Sequence, residues 1–515
     1  MPLRLLRKSP RRQRGQALVL GALSFLVLAL MVALSFNLSH ALREKVSLQQ
    51  HSDSMAYSMA VVEARALNYY AVSNRAIAAT YVAMNSMHAY MAAASVTGEM
   101  MRKSQTNYYI IMAMEFAQCG CWSCFKHCIH GLQALKIAGK YGKAGNKYDK
   151  RVKNLENSFN QTIQGLDRMV DFMHASQAQV HLRTVDAVRN GGSYGLEKLT
   201  SYNAPGASTV TAAVGAMNMN EFNCAVDGMP CTGSVASSDP KARSKVMTEV
   251  ANASRPAWPA NRGLPGGIDY PLHLHPQFLQ EIRDIPGEGI NSPVPFTHKG
   301  TAKTVQSTGS LHSGSAGPEG KAIAAEEQGM MYNQWKHGTG IPLKYSALVA
   351  SDSGSGKHTP GGAHSGSHKF EGVNAKALTA CTLGGNCFMK FRANEDKDRD
   401  YGQPRSFSYV TKTLRGASKT KAPWQLNSSA TLNFQNGKTS ASLTLAADEG
   451  AALSKAIVYY HRFGDNGWRE APNLFSPYWR AKLHPFTQQQ AAEVLTAASN
   501  TDAAQLVSSS TGLSL

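Results

Sequence analysis

Two residue types in this 515-residue chain, cysteine and histidine, are spaced in ways that could do chemistry. Four of the eight cysteines, Cys119, Cys121, Cys124 and Cys128, lie in the single string CGCWSCFKHC. The others form two close pairs, Cys224 with Cys231 and Cys381 with Cys387. Even numbers of locally grouped thiols either oxidise to disulfides or, as thiolates, hold a metal. Structural zinc sites draw ligand pairs from separate segments, so four thiolates this close together are crowded for one tetrahedral ion. His127 and His130 stand near enough to join such a site. The compartment decides between the two chemistries. An oxidising one favours bridges Cys224–Cys231 and Cys381–Cys387, plus two bridges within the first cluster, and a reducing one favours metal.

His273 and His275 alternate in PLHLHP as on one face of a strand, and His358, His364 and His368 lie in GKHTPGGAHSGSHK. Imidazole suits transition metals, but no acidic residue supports either set, so both are weak candidates and no metal or cofactor is expected. SGSGKHT falls short of a phosphate-binding loop, because its first glycine would be Ser351 and the hydroxyl residue after Lys357 is replaced by His358. There is no G-x-S-x-G, no H-E-x-x-H and no Cys/His pairing suited to nucleophilic attack. These residues point away from an enzyme. The net charge of +19 favours anionic partners such as phospholipid headgroups, acidic glycans or nucleic acid. No single Lys/Arg block dominates after residue 14, so a solvated basic surface is the plain reading and no specific nucleic acid is expected.

The elements that must position these residues start with RGQALVLGALSFLVLALMVALSFNL, from Arg14 to Leu38. A cleaved signal, a permanent anchor and a prepilin leader cut between Gly15 and Gln16 all have this outline. From Ala17 to Phe36 only Gly21, Ser24 and Ser35 are not hydrophobic. That length matches the roughly 30 Å hydrocarbon core and exceeds a signal-peptide apolar region of about 7–15 residues. Arg4, Arg7, Lys8, Arg11, Arg12 and Arg14 precede it with no acidic residue, which places the N-terminus in the cytoplasm. The expectation is a transmembrane helix over residues 16–38, a cytoplasmic basic segment before it, and an extracytoplasmic remainder in which cysteines oxidise.

Proline is absent between Pro10 and Pro205, and frequent with Gly and Ser afterwards. Helix breakers are thus scarce over residues 39–190 and dense over 191–515. Met55, Met59, Val62, Ala66, Tyr69, Ser73, Ile77, Tyr81, Met84 and Met91 recur mostly at three- and four-residue spacing, as a helical packing seam does. Ser52-Asp53-Ser54 offers an N-cap where this helix could break. Further helices are expected near Arg102–Ala117 and Leu132–Arg189, returning as a small bundle. The second carries Lys136, Lys140, Lys143, Lys147, Lys150, Arg151 and Lys153, an anion-binding or simply solvated face. Beyond it, CFMKFRA, RSFSYVTKT and KAIVYYHRF read as strands. ATLNFQNGKTSASLTLA reads as a hairpin about Asn436-Gly437. Loops rich in Gly, Ser and His are expected over 300–370, and a final helix over Thr487–Val507. Tyr459, Tyr460, Phe463, Trp468, Phe475, Tyr478 and Trp479 either lock this end onto the core or form a binding surface. The fold class is α+β, a membrane helix running into a helical region and then a loop-rich, mostly antiparallel β region.

The stretch from Arg14 to Arg65, with Arg-Gly-Gln, an apolar span and Gln49, Asp53 and Ala56 in a Q-x-x-x-D-x-x-A element, resembles the N-terminal module of TadG/TadE-like proteins of Tad (type IVc) pilus systems. RALNYYAVSNRAIAATYVAMN, with Asn68, Asn74 and Arg75, is similar to the continuation in one proteobacterial branch. APNLFSPYWRAKLHP is similar to that branch's closing segment. The resemblance covers about the first 85 residues and this late patch. It implies a minor pilin-like or assembly component held in the bacterial inner membrane, with other pilus or secretion subunits as partners. Two departures stand out. Pilins carry Glu five residues after the cut, where this chain has Leu20. Many relatives carry a D-x-S-x-S metal site, whose nearest string here, from Asp352 to Gly356, has Gly354 in place of the first Ser. Rival readings are a pilus-displayed adhesin binding glycans or host and matrix surfaces, and a membrane-anchored periplasmic hydrolase with a histidine metal site.

Overall fold

The computed structural model describes residues 11–120, 125–190, 202, 204–232, 296–306, 321–336, 342–350, 388–394, 396–413, 430–436, 439–445, 449–464 and 467–509. The chain is α+β, with two long helices, three shorter ones and small antiparallel sheets among the described residues. Helix α1 spans Arg11–Ala117, 107 residues, or about 160 Å at 1.5 Å per residue. Its segment Gly15–Phe36 has mean hydropathy 2.8 and is not buried against the rest of the chain. That segment is long and apolar enough to cross a membrane.

No break occurs at Ser52-Asp53-Ser54. The side chains that could have capped a new helix are engaged elsewhere. Ser52 Oγ reaches Ser408, and Asp53 Oδ1 accepts from Gln49 and Ser454. The stretch expected as a separate helix at Arg102–Ala117 is the far end of α1. Helix α2, Phe125–Asn190, starts seven residues before the expected Leu132. The two helices run antiparallel over nearly the whole of α2. Near the turn Phe116 covers Gly131, and further back Tyr108 stacks on Tyr141 with ring centroids 5.6 Å apart. Arg102 then pairs with Asp149 at 2.6 Å. Ile77, Tyr81 and Met84 pack with Ile163 and Val170, and Gln177 bonds Ser73. From Met55 to Met84 the Met, Ala and Tyr seam is therefore core, while the side chain of Met91 lies outside the described residues. Each such apolar side chain, fully buried, contributes on the order of 1.5–3 kcal/mol.

Helix α3 spans Ala212–Ala225, capped by the Thr211 side chain. Strands β1 (Phe296–Gln306), β2 (Lys321–Lys336) and β3 (Pro342–Ala350) pair in that order, antiparallel. This corrects the expectation of loops throughout 300–370. Trp335 and Tyr332 in β2, and Tyr345 and Val349 in β3, are strand-forming types. A second sheet has order β10-β7-β4, from Trp479–Leu483, Glu449–Tyr460 and Arg405–Thr413. A hairpin joins β5 (Ala430–Asn436) and β6 (Thr439–Leu445), with Asn436 still in the ladder opposite Thr439. Short strands β8 (Phe463–Gly464) and β9 (Gly467–Trp468) pair beside it in sequence.

The expected strand CFMKFRA is irregular where described, with one isolated bridge from Phe391 to Val226. Its backbone groups bond to Asn74 and to the end of α3 instead. The expected last helix is two, α4 (Gln488–Ala497) and α5 (Thr501–Ser509). Ser499 sits at φ 63 between them, a left-handed conformation that ends a helix. The side chain of Asn500 then accepts from Ala503 N and starts the next.

Alternation in β4 and β7 explains how the sheet meets α1. Ser406, Ser408, Ala452, Ser454 and Ala456 share one face through the pairings Ser406↔Ala456 and Ser408↔Ser454. These small side chains let the helix approach closely, as Ala56, Ala60 and Ala64 do on its own side. Phe407, Tyr409 and Leu453 occupy the other face and pack with Val494, Leu495 and Ala504 of α4 and α5. Residues expected to divide into a helical region and a β region thus share common cores.

Gly215 of α3 lies where a Cβ would overlap the Arg189 carbonyl oxygen of α2, whereas Gly165 on α2 faces open space. Chemical unfolding should show Gly215→Val destabilised by about 1–3 kcal/mol or more. Gly165→Ala should be stabilised by up to about 1 kcal/mol, because it restricts the unfolded chain without a clash.

Candidate functional site

The densest concentration of buried polar chemistry lies where α1 and α3 meet the C-terminal segments. Its unit is an asparagine whose side-chain amide pairs with both the N–H and the C=O of one backbone residue. Asn68 donates to Trp479 O at 2.9 Å and accepts from Trp479 N at 3.0 Å. Asn74 donates to Met389 O at 2.8 Å and accepts from Met389 N at 3.2 Å, and it also donates to Leu474 O at 2.6 Å. On α3, Asn218 does the same with Phe407 at 2.9 and 2.8 Å. Asn220 does it with Thr232 at 3.0 and 2.9 Å. A carboxamide carries its donor and acceptor side by side, as a peptide unit does, so each asparagine acts as a one-residue extension of a ladder. Buried backbone groups outside regular strands need such partners.

A second layer runs along the same helix face. Lys412 pairs with Glu44 at 2.7 Å, near the membrane-length segment. One helical turn on, Gln49 donates to Leu453 O and Ser454 Oγ, and Ser454 Oγ donates to Asp53. Beyond Ser52, Glu63 is fully buried and accepts from Ser406 Oγ at 3.0 Å. Burial drives the Glu63 carboxyl up to about 8, with the nearby Glu221 carboxylate adding to the rise and the Ser406 bond opposing it. Its other oxygen has no hydrogen-bond partner. A carboxyl kept protonated at neutral pH avoids the cost of a buried charge. Arg405 holds Glu221 with two bonds of 2.8 and 2.7 Å.

The late patch forms a turn built on Asn473. Its Oδ1 accepts from Phe475 N and Ser476 N, and its main-chain oxygen accepts from the Trp479 indole at 3.0 Å. Its Nδ2 donates to the hydroxyl of Tyr460, whose own proton goes to Glu470 at 2.7 Å. Burial and the Glu470 bond push the Tyr460 hydroxyl up to about 12. Trp479 and Tyr460 are buried, with ring centroids 5.1 Å apart. Behind them, His181 Nε2 meets Asn223 Oδ1 at 3.0 Å and its Nδ1 meets the Tyr70 hydroxyl at 3.2 Å. Burial lowers the His181 pKa. The neutral ring therefore donates through Nε2 and accepts from Tyr70.

Of the sequence candidates, Gln49, Asp53, Asn68 and Asn74 converge on this interface, while the Arg75 side chain is exposed on another face of α1. Gly15 and Gln16 lie within α1, exposed. Cys119 and Cys128 are disulfide-bonded, as are Cys224 and Cys231. The first bridge ties the end of α1 to the start of α2, and His127 there bonds Glu115 at 2.6 Å. Cys121, Cys124, Cys381, Cys387, His273, His275, His358, His364, His368 and the 352–356 string lie outside the described residues. Among the described residues no three His, Cys, Asp or Glu side chains converge as metal ligands do. Asn218, Asn220, Glu63 and Gln177 were missed from sequence. A lone Glu63 amid the small apolar residues of the seam was the one available signal. No protein-family model, no curated protein and no solved structure matches the chain.

Asn74→Asp keeps the shape and removes the donor, leaving Met389 and Leu474 oxygens unpaired beside a buried carboxyl. Denaturant titration should show a loss of about 2–4 kcal/mol, against about 0.5 kcal/mol or less for Arg75→Ala. Glu63 binds its proton more tightly folded than unfolded, so its stabilisation is complete below its unfolded pKa. That stabilisation is lost as pH rises towards about 8. Melting temperature measured across this window should fall less steeply in Glu63→Gln than in the parent chain.

Proposed function

We propose that this protein is a TadG/TadE-like, membrane-anchored, non-enzymatic component of a bacterial Tad pilus or related secretion machine, acting by helix packing with partner subunits. The observation that carries the reading is the meeting of the two resemblance segments. Asn68 and Asn74, from the first, hold Trp479 and Leu474, from the second, 400 or more residues away. Segments that are similar to one family at both ends of the chain thus form a single interface, which is how a conserved module would be built.

Three further features support the reading. Gly15–Phe36 has the length and hydropathy of a membrane span, and the basic residues before it favour a cytoplasmic N-terminus in the inner membrane. The two disulfide-bonded pairs suit an oxidising compartment beyond that membrane. Glu63 and His181, two of the groups whose titration burial displaces, are packed within the core and hold neighbours in place, a structural use rather than a catalytic one. Tyr57 and Val72 remain exposed on α1 for lateral partners. Trp479 and Tyr460, residues an adhesin would present, are used inside the core.

The test is photo-crosslinking in the native bacterium from full-length protein labelled at Tyr57 or Val72, together with deletion of the gene. Crosslinks to pilus or secretion subunits, and loss of surface pili, are expected. Normal piliation with no such crosslink contradicts the proposal. The intact mass of the same protein reports whether Gly15–Gln16 is cut. An uncut chain is expected of a fixed membrane component, given Leu20 where pilins carry Glu.

A further inference from the structure

Where the end of α3 meets the 388–394 stretch, a small cavity holds more positive charge and more N–H donors than its own walls use. Glu221 and Cys224 of α3 line it, together with Arg392, Asn394, Arg399 and Arg405. Three guanidinium groups thus stand around one carboxylate. That carboxylate is already satisfied, because both Glu221 oxygens accept from Arg405, at 2.8 and 2.7 Å. Asn220 and Thr232, also on the wall, satisfy each other through three bonds.

The remaining donors are not spent. The Arg392 side chain is 8% exposed. Its Nη2 donates to Met229 O at 3.1 Å, and its Nε lies 3.6 Å from Asp227 Oδ1, an ion pair too long for a hydrogen bond. Among the described residues its Nε and Nη1 have no hydrogen-bond partner. A buried cation with bonds unmade is costly, and in a folded protein it points to a bound water or ion. Arg399 is 51% exposed and meets the Asp396 carboxylate only at 3.9 Å. Asn394 accepts from Asp396 N through Oδ1, which leaves its N–H groups for another acceptor.

The walls are fixed in place. The bridge Cys224–Cys231 closes the loop that carries Asp227 and Met229. Asp227 N donates to Lys390 O, and Arg392 N to Ala225 O, so the loop and the 390–392 backbone are tied together. Asn394 N donates to Tyr401 O across the turn Lys397–Gly402. In that turn Asp400, Tyr401 and Gly402 follow one another at φ 51, 58 and 81, a conformation rare for a residue as bulky as Tyr401. A Cβ at Gly402 would lie 2.8 Å from Arg392 O. Backbone held in this region is found where a site demands it.

Size and donor count select the occupant. The cavity measures about 60 Å³, and one water needs about 10–15 Å³ of such space, so roughly four waters or one five-atom oxyanion would fill it. A sugar ring or a nucleotide exceeds it. The surplus arginines exclude a metal cation. A carboxylate offers two oxygens, whereas Arg392, Asn394 and Arg399 are three donor side chains. A phosphate group serves all three, and guanidinium is the side chain best matched to it.

We propose that this cavity binds one phosphate group, as the free ion or as the end of a monoester whose remainder stays outside. The test is calorimetric titration of full-length protein in neutral detergent, at constant ionic strength made up with sodium chloride. Inorganic phosphate, glycerol 3-phosphate and acetate are the titrants. Phosphate should saturate one site with a Kd of about 1 mM or tighter and raise the melting temperature. Acetate should bind at least about tenfold more weakly. Arg399→Gln, which alters a half-exposed side chain, should weaken phosphate binding about tenfold or more. Arg480→Gln removes the same charge from an exposed position on β10 and should change nothing. An unchanged melting temperature without titrant confirms the fold of both variants. Binding of glycerol 3-phosphate as well supports a monoester as the source, and binding of inorganic phosphate alone supports the free ion. No saturation by about 10 mM of either phosphate means that the cavity holds water only, and overturns the proposal. Equal binding of acetate overturns it, as does an equal loss in Arg480→Gln and Arg399→Gln.

Discussion

The structure depends on the pairing of side-chain amides with single backbone residues. Asn68, Asn74 and Asn218 stand on helices and present a donor and an acceptor to Trp479, Met389 and Phe407. Helices satisfy their own backbone, and a sheet edge or an irregular strand does not. Without the asparagines the 388–392 stretch and the start of β10 would bury unpaired groups against α1. Such a group costs about 1–3 kcal/mol each, a large fraction of the usual 5–15 kcal/mol stability of a domain. The amides make it possible for a small antiparallel sheet to lie on a helix that began as an apolar span.

Small residues complete this contact. Ser406, Ser408 and Ser454 face α1 with hydroxyls that reach Glu63, Ser52 and Asp53. Polar pairing and close approach therefore occur on the same face. The sheet grips α1 from Glu44 to Asn68, beginning about 12 Å along the helix from Phe36. Beyond it, where Tyr81 still meets Phe388, α1 continues alongside α2 to the bridge at Cys119 and Cys128. On the proposed reading, the C-terminal sheet sits close to the anchoring membrane and the hairpin carries its tip away from it.

Much of this was legible in the sequence, for identifiable reasons. The absence of proline and the regular Met, Ala and Tyr seam announced the helices, because helical periodicity is a local property. RSFSYVTKT announced β4 through its alternation, and the Cys224–Cys231 pair through its spacing. What failed depended on partners far away. Ser52, Asp53 and Ser54 carry the composition of a cap, yet Ser408 and Ser454, some 350 to 400 residues on, claim the side chains of Ser52 and Asp53. CFMKFRA has strand composition, yet Asn74 takes the backbone groups a neighbouring strand would have used. Glu63 shows only its isolation among small apolar residues, and the proton it retains follows from burial that the sheet creates. The resemblance marked Gln49, Asp53, Asn68 and Asn74 without showing that they meet the late patch.

The most direct test of the account is residue-resolved amide hydrogen exchange at Met389 and Trp479. Their N–H groups donate to Asn74 and Asn68 side chains. If the amide pairing holds the two ends of the chain as one cooperative unit, both should exchange as slowly as the central β7 amides and open only with global unfolding. Rapid exchange of either amide in the native protein, at the rate of an unprotected loop, would contradict it.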